Sequence, residues 1–191
     1  MDLVIENVGR RSNTWGGEGD PTDVGEASLN GRERNALYWN RGDGSFEEVG
    51  HLTHAGRIED GRGVAVADFD RDGRLDLAIQ NLDKPAVLLM GKGETGNWLQ
   101  VRLEGTRSNR DAIGAEVVVE TDGRRQLRQV SAGAGFLSSS SRVLHFGLGA
   151  VETIERLEVR WPSGERQVVE ALDANQQILL REGDARATAA R

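Results

Sequence analysis

The 191-residue chain contains no cysteine, which excludes disulfides, thiol catalysis and Cys-ligated zinc or iron–sulfur sites. That absence leaves the compartment open, because an exported protein loaded with calcium can do without disulfides. Proline is almost missing, at 3 residues, while glycine reaches 25. A disordered Pro/Gly tract is thereby excluded, and many tight turns are expected. Basic residues are the minority: 24 Lys and Arg against 31 Asp and Glu leave a net charge of -7. Such a balance argues against nucleic acid and anionic lipid as partners and makes cations the natural ones. No apolar run approaches the length of a membrane span. The opening Met1-Asp-Leu-Val-Ile-Glu6 lacks a basic start and turns polar early, so a signal peptide is not expected there. The length suits one large or two small domains with a real core.

Against these absences stands one dense feature, Asp68-Phe-Asp70-Arg-Asp72-Gly73-Arg74-Leu-Asp76. Carboxylates at loop positions 1, 3, 5 and 9, with a backbone carbonyl at position 7, make most of the oxygen shell that Ca²⁺ takes. The expected ligands are Asp68, Asp70, Asp72, Asp76 and the carbonyl of Arg74. An EF-hand does not fit, since Ile79 occupies the position of its bidentate Glu and the flanks are not helical. Gly63-Val-Ala-Val-Ala-Asp68 and Leu75-Asp-Leu-Ala-Ile-Gln80 are short, apolar and partly alternating, so the loop is expected to join two strands. The competing reading is an acidic solvated turn.

An internal repeat is visible. Asp2-Leu-Val-Ile-Glu-Asn7 matches Asp76-Leu-Ala-Ile-Gln-Asn81, and Asn35-Ala-Leu-Tyr-Trp-Asn40 occupies the place of Lys84-Pro-Ala-Val-Leu-Leu-Met90. The unit is a short β-meander, with a Gly- and charge-rich insertion over residues 9–34 in its first copy, which a surface loop accommodates at modest entropic cost. Met1 falls where Leu75 falls, so the chain is expected to begin in mid-repeat, with an open edge that something must cover.

From Gly93 the texture changes. Asn97-Trp-Leu-Gln-Val-Arg-Leu103, Ala115-Glu-Val-Val-Val-Glu120, Gln126-Leu-Arg-Gln-Val130, Ile154-Glu-Arg-Leu-Glu-Val-Arg-Trp161, Gln167-Val-Val169 and Gln177-Ile-Leu-Leu-Arg181 read as strands. Asp122-Gly123 is a hairpin signal, and residues 184–191 read as a tail. The expected fold is all-β, a partial β-propeller of one to two blades over residues 1–93, followed by an antiparallel β-sandwich or barrel over residues 94–183.

Other candidates are weaker. Arg41-Gly42-Asp43 spells an adhesion tripeptide but sits in a turn. Ala132-Gly-Ala-Gly-Phe-Leu-Ser138 lacks the third glycine and the helix of a dinucleotide site. His51 and His54 lie three apart beside Glu48, a spacing that zinc or copper can use, but exposed loop polarity is the expected reading. His145 is expected as a packed, hydrogen-bonded strand residue, and the serines from Ser138 to Ser141 beside it lack an orienting acid. Glu116, Glu120, Glu155 and Glu158 sit among strand residues and not as a cleft pair. The loop of Ser108, Asn109, Arg110 and Asp111 is the second polar site, for a sugar or peptide or for its own backbone.

Residues 63–79 resemble an FG-GAP/VCBS repeat, the blade unit of integrin-type β-propellers, and Leu37-Tyr-Trp-Asn-Arg-Gly-Asp-Gly-Ser-Phe46 resembles that family's inter-blade hairpin. Asn97-Trp-Leu99, Gly105-Thr-Arg-Ser-Asn-Arg-Asp-Ala-Ile-Gly-Ala115, Gly133-Ala-Gly-Phe-Leu-Ser138, Leu144-His-Phe-Gly-Leu-Gly149 and Val159-Arg-Trp-Pro-Ser-Gly164 are similar in order and spacing to the ASPIC/UnbV domain. The resemblance implies a calcium-bound blade loop, an extracellular or cell-surface setting and a binding role, with no known reaction. Family members carry a whole propeller, of which most is absent here. The expected function is a non-enzymatic, calcium-binding interaction module for a protein or carbohydrate partner. The alternatives are a homo-oligomer or fibre built through the open propeller edge, or a glycan-active enzyme.

Overall fold

The computed structural model describes residues 3–4, 34–59, 61–82, 84–136, 138–184 and 187–189. Among them the regular structure is strand, apart from one 3₁₀ turn at Gly50–Leu52, and the all-β expectation holds. The chain divides into two compact units.

The first unit comprises Met1–Ala65, Leu77–Leu89 and Gly135–Ser138. It carries a sheet of β1 (Leu3–Val4), β2 (Tyr38–Asn40) and β3 (Phe46–Glu48), and most of a second sheet of β4 (Gly61–Ala67), β5 (Asp76–Asn81) and β6 (Val87–Leu89). The repeat shows in the pairing. Leu3 and Val4 pair antiparallel with Trp39 and Tyr38, as Leu77, Ala78 and Ile79 pair with Leu89, Leu88 and Val87. Most of the insertion at residues 9–34 lies outside the described residues, as do most residues of the first repeat strand.

The second unit comprises Val66–Asp76, Met90–Ala134 and Ser139–Arg191. One sheet has the order β10 (Leu144–Gly149), β7 (Asn97–Glu104), β13 (Gln176–Arg181) and β14 (Thr188–Ala189). The other has β12 (Arg166–Asp173), β11 (Thr153–Arg160), β8 (Glu116–Thr121) and β9 (Arg124–Gln129). Alternation along β7, β10, β13, β8 and β11 delivers apolar side chains to a shared core. Leu99, Val101, Phe146, Ile178 and Leu180 from the first sheet meet Val117, Val119, Leu157 and Val159 from the second, all buried to within 2%. Asp122 and Gly123 both take positive φ, 44° and 71°, in the primed geometry that a two-residue hairpin needs between β8 and β9.

Three features depart from the sequence reading. The sandwich is not wholly antiparallel, because β13 runs parallel to β7, with Gln176 opposite Leu99 and Arg181 opposite Glu104. Parallel neighbours require a long connection, and here most of the domain lies between them; Asn175, in the left-handed region at φ 59°, donates its amide to Trp98 O and starts β13 beside β7. The expected tail contributes a strand: Thr188 and Ala189 pair with Leu179 and Ile178, covering an edge that would otherwise be unpaired. Residues 66–76 group with the second unit, whereas the sequence boundary was drawn at 93. The loop's contacts with β7, described below, account for that grouping.

One polar residue holds the long connection between β7 and β8. Glu182, 2% exposed, accepts hydrogen bonds from the backbone amides of Thr106, Arg107 and Ser108 at 2.7–2.8 Å and from the Ser108 and Ser163 hydroxyls at 2.9 and 2.5 Å. Burial alone would raise its pKa, but the hydroxyls and amides outweigh it and hold the carboxyl at about 2. Its folded value lies below its unfolded value near 4.5, so its stabilisation is complete above the unfolded value and is lost as pH falls towards about 2. Glu182→Gln is expected to lower stability by about 2 to 3 kcal/mol at pH 7. In urea titrations the gap between the two proteins should narrow steadily from pH 5 to pH 2, and an unchanged gap would show that the carboxylate is not what the loop is built on.

Candidate metal centre

The acidic loop leaves β4 and enters β5, as the strand patterns anticipate. Its backbone is closed by two of its own carboxylates. Asp68 accepts from the amides of Asp72 (3.1 Å) and Gly73 (2.8 Å). Asp76, 1% exposed, accepts from the amides of Phe69 and Gly91, each at 2.7 Å. Side chains that look like a chain of negative charge therefore serve first as acceptors for amides that would otherwise be left without partners.

A strand from the sandwich completes the seat. Gln100, 5% exposed, donates through Nε2 to Asp68 Oδ2 at 2.6 Å. Two residues earlier on β7, Trp98 lies against the loop so closely that a Cβ on Gly73 would run into its indole. Gly73 also has φ +87°, a conformation open to glycine at no steric penalty. His145 of β10 stacks on Trp98, with ring centroids 6.4 Å apart and planes at 14°. Burial depresses its pKa more than the nearby Asp68 charge raises it. Contrary to expectation, His145 Nδ1 is shielded from solvent without a hydrogen-bond partner among the described residues, so stacking rather than hydrogen bonding fixes this ring.

Of the expected ligands, the structure brings together Asp68, Asp70 and Asp76. Each offers a carboxylate oxygen, all within 4.8 Å of one another. These are hard oxygen donors, the type that calcium and magnesium take. Asp72 stands outside the trio because Arg74 holds it: the Arg74 amide donates to Asp72 Oδ1 at 2.9 Å, and its guanidinium pairs with Oδ2 and also donates to Gly91 O. A positive residue inside the acidic run thus neutralises the carboxylate that the trio leaves out.

The remaining candidates resolve into structural roles. Arg41 pairs with Glu47 and Asp43 accepts from Ser45, so the tripeptide's charged ends serve the β2–β3 turn. His51 pairs with Glu48 at 3.2 Å, and neither it nor His54 belongs to a metal-capable group among the described residues. Ser138 and Ser139 donate to the carbonyls of Phe136 and Ala132, Ser140 accepts from the Val66 amide, and Ser141 accepts from the Val143 amide. Glu116, Glu120 and Glu158 lie in a cross-strand charge lattice with Arg156 and Arg160, and Glu155 accepts from the Asp122 amide. In the second polar loop, Ser108 binds Glu182 and Asn109 bridges the amide and carbonyl of Ile113. Ser108 thus serves the Glu182 carboxylate and Asn109 the loop's own backbone, while Arg110 and Asp111 line a pocket. Sequence reasoning missed Glu182, Gln100 and Trp98, whose significance lies in partners distant in the chain.

Two family models match the chain: an FG-GAP-like repeat over residues 22–79, and the ASPIC and UnbV domain over residues 105–187. Among curated proteins, Cartilage acidic protein 1 of Xenopus tropicalis is 42% identical over 113 residues, 56% of this chain and 17% of that protein. The mouse and human proteins of the same name are each 39% identical over 110 residues. The chain therefore spans 17% or less of the length of these relatives. The acidic loop lies within the first match, and the sandwich strands from β8 to β13 lie within the second, so the chain carries an FG-GAP-like repeat followed by an ASPIC/UnbV domain.

Proposed function

We propose that this chain is a non-enzymatic, extracellular interaction module whose acidic loop is stabilised by calcium. The observation that carries the reading is the convergence of Asp68, Asp70 and Asp76 within 4.8 Å. At that separation two like charges repel by about 3 kcal/mol at an effective dielectric near 20. A divalent cation removes this repulsion and needs no rearrangement of the hydrogen bonds to Asp68 and Asp76, because a carboxylate oxygen has more than one acceptor direction.

The holding residues are Asp68, Asp70 and Asp76, joined by the Arg74 carbonyl and, once its guanidinium partner withdraws, by Asp72. Calcium is favoured over magnesium by the number of oxygens the loop can offer. When bound, the ion ties the end of β4 to the start of β5. The extracellular setting is supported by the relatives, named as acidic proteins of cartilage. Binding of a protein or carbohydrate partner fits a domain whose serines and glutamates are engaged in backbone and cross-strand contacts rather than in a nucleophile–base pair.

Calcium at a hundredfold excess over its Kd should stabilise the fold by about 2.7 kcal/mol, raising the melting temperature by roughly 10 °C for a domain of this size. Melting in calcium and in chelator measures this directly, and Asp70→Ala should abolish the difference; equal melting temperatures for the unaltered chain would refute the calcium assignment. Gly73→Ala is expected to destabilise by about 2 kcal/mol or more, through its positive φ and its collision with Trp98. Its calcium-dependent rise in melting temperature should be correspondingly reduced. A neutral Gly73→Ala would mean that the loop is not seated on β7 as described.

A further inference from the structure

On β7 the outward residues alternate with the core residues Leu99, Val101 and Leu103. Trp98 and Gln100 meet the acidic loop, and the next two outward residues, Arg102 and Glu104, line a pocket of about 410 Å³. Its other walls come from the loop after β7, through Arg110 and Asp111, and from the segment before β10, through Ser139, Ser140 and Arg142. That volume is in the range of small-molecule sites. Among the described residues, Leu103 and Val143 are the apolar ones in its lining, which suits a polar occupant.

The charge in this pocket runs against that of the chain. Asp111 is paired with Arg142 at 3.0 Å and Glu104 lies 3.8 Å from Arg181, so both acidic walls are matched. Arg102 and Arg110 have no carboxylate partner among the described residues, and both are exposed. A protein with net charge -7 thus keeps two unmatched guanidiniums at one concavity. Ser140 Oγ accepts from the Val66 amide, which leaves its hydroxyl proton to donate. Ser139 Oγ, donating to Ala132 O, retains lone pairs to accept.

We infer that this pocket binds the oxyanion of a small polar ligand, a carboxylate or sulfate group carried on a sugar-sized body, with Arg102 and Arg110 holding the anion. Planar guanidiniums match the two oxygens of such a group in a way that lysines do not. The Ser140 hydroxyl supplies a neutral donor beside them, and Ser139 an acceptor for a ligand hydroxyl. The inference shares no residue with the cation trio and stands whether or not the trio holds calcium.

The test is titration of the ¹⁵N-labelled full chain with glucuronate, sulfate and glucose, followed by amide shifts. Glucuronate is expected to give saturable shifts centred on residues 102–111 and 139–143, with a Kd of order 1 mM, and glucose none. Arg102→Gln with Arg110→Gln should weaken glucuronate at least tenfold. Since both side chains are exposed, the melting temperature should be unchanged, which separates lost binding from lost folding. Sulfate binding as well as glucuronate supports the oxyanion seat and places the recognition in the anion; weaker sulfate binding places part of it in the sugar. No saturable shift with either anion, glucose binding as well as glucuronate, or unaltered affinity in the double variant would each overturn the inference.

Discussion

Carboxylates do not gather without something to hold them, and the convergence of Asp68, Asp70 and Asp76 within 4.8 Å is the constraint around which this part of the chain is arranged. Left to themselves the three charges would open the loop. The backbone resists that: amides of Phe69, Asp72, Gly73 and Gly91 donate to Asp68 and Asp76, and Gln100 adds a side-chain donor from β7. The loop is accordingly preorganised as an anionic cup, with Trp98 filling the space that any side chain at position 73 would need.

The ASPIC/UnbV sandwich handles its polar groups in the same manner. Glu182 does for the β7–β8 connection what Asp68 does for the acidic loop, receiving successive backbone amides at its carboxylate. On the opposite sheet, Glu158 is 7% exposed yet lies between Arg156 and Arg160. An acidic protein thus places its buried carboxylates where amides or guanidiniums already wait, as burial of a charge requires. Arg102 and Arg110 are notable by contrast, since among the described residues their charges meet no carboxylate partner.

Much of this was legible in the sequence where the signal is local. The acidic run, its glycine and its flanking alternation marked the loop and its two strands, and Asp122-Gly123 marked a primed hairpin, because a two-residue turn and a period of two are written in adjacent residues. The unread features depend on residues far apart. Glu182 looks like any exposed glutamate at a strand end, and the amides that donate to it lie 74 to 76 residues upstream. The parallel β7–β13 pair carries no turn signature. Thr188 and Ala189 are too short and polar to read as a strand, yet they find a free edge. Asp72 sits in perfect ligand register but is captured by Arg74, two residues away, a competition that spacing alone does not decide. Ser108 and Asn109 were grouped with Arg110 and Asp111 as one polar loop, whereas Glu182 claims Ser108, the loop's backbone claims Asn109 and the pocket takes the other two.

Calorimetric titration of the full chain with calcium, after removal of metal by chelation, tests the central claim most directly. The account predicts one bound ion at the acidic loop, lost in Asp76→Asn and in Asp68→Asn and unaffected by Arg102→Gln. No heat of binding up to millimolar calcium, or binding that survives both aspartate replacements, would contradict it.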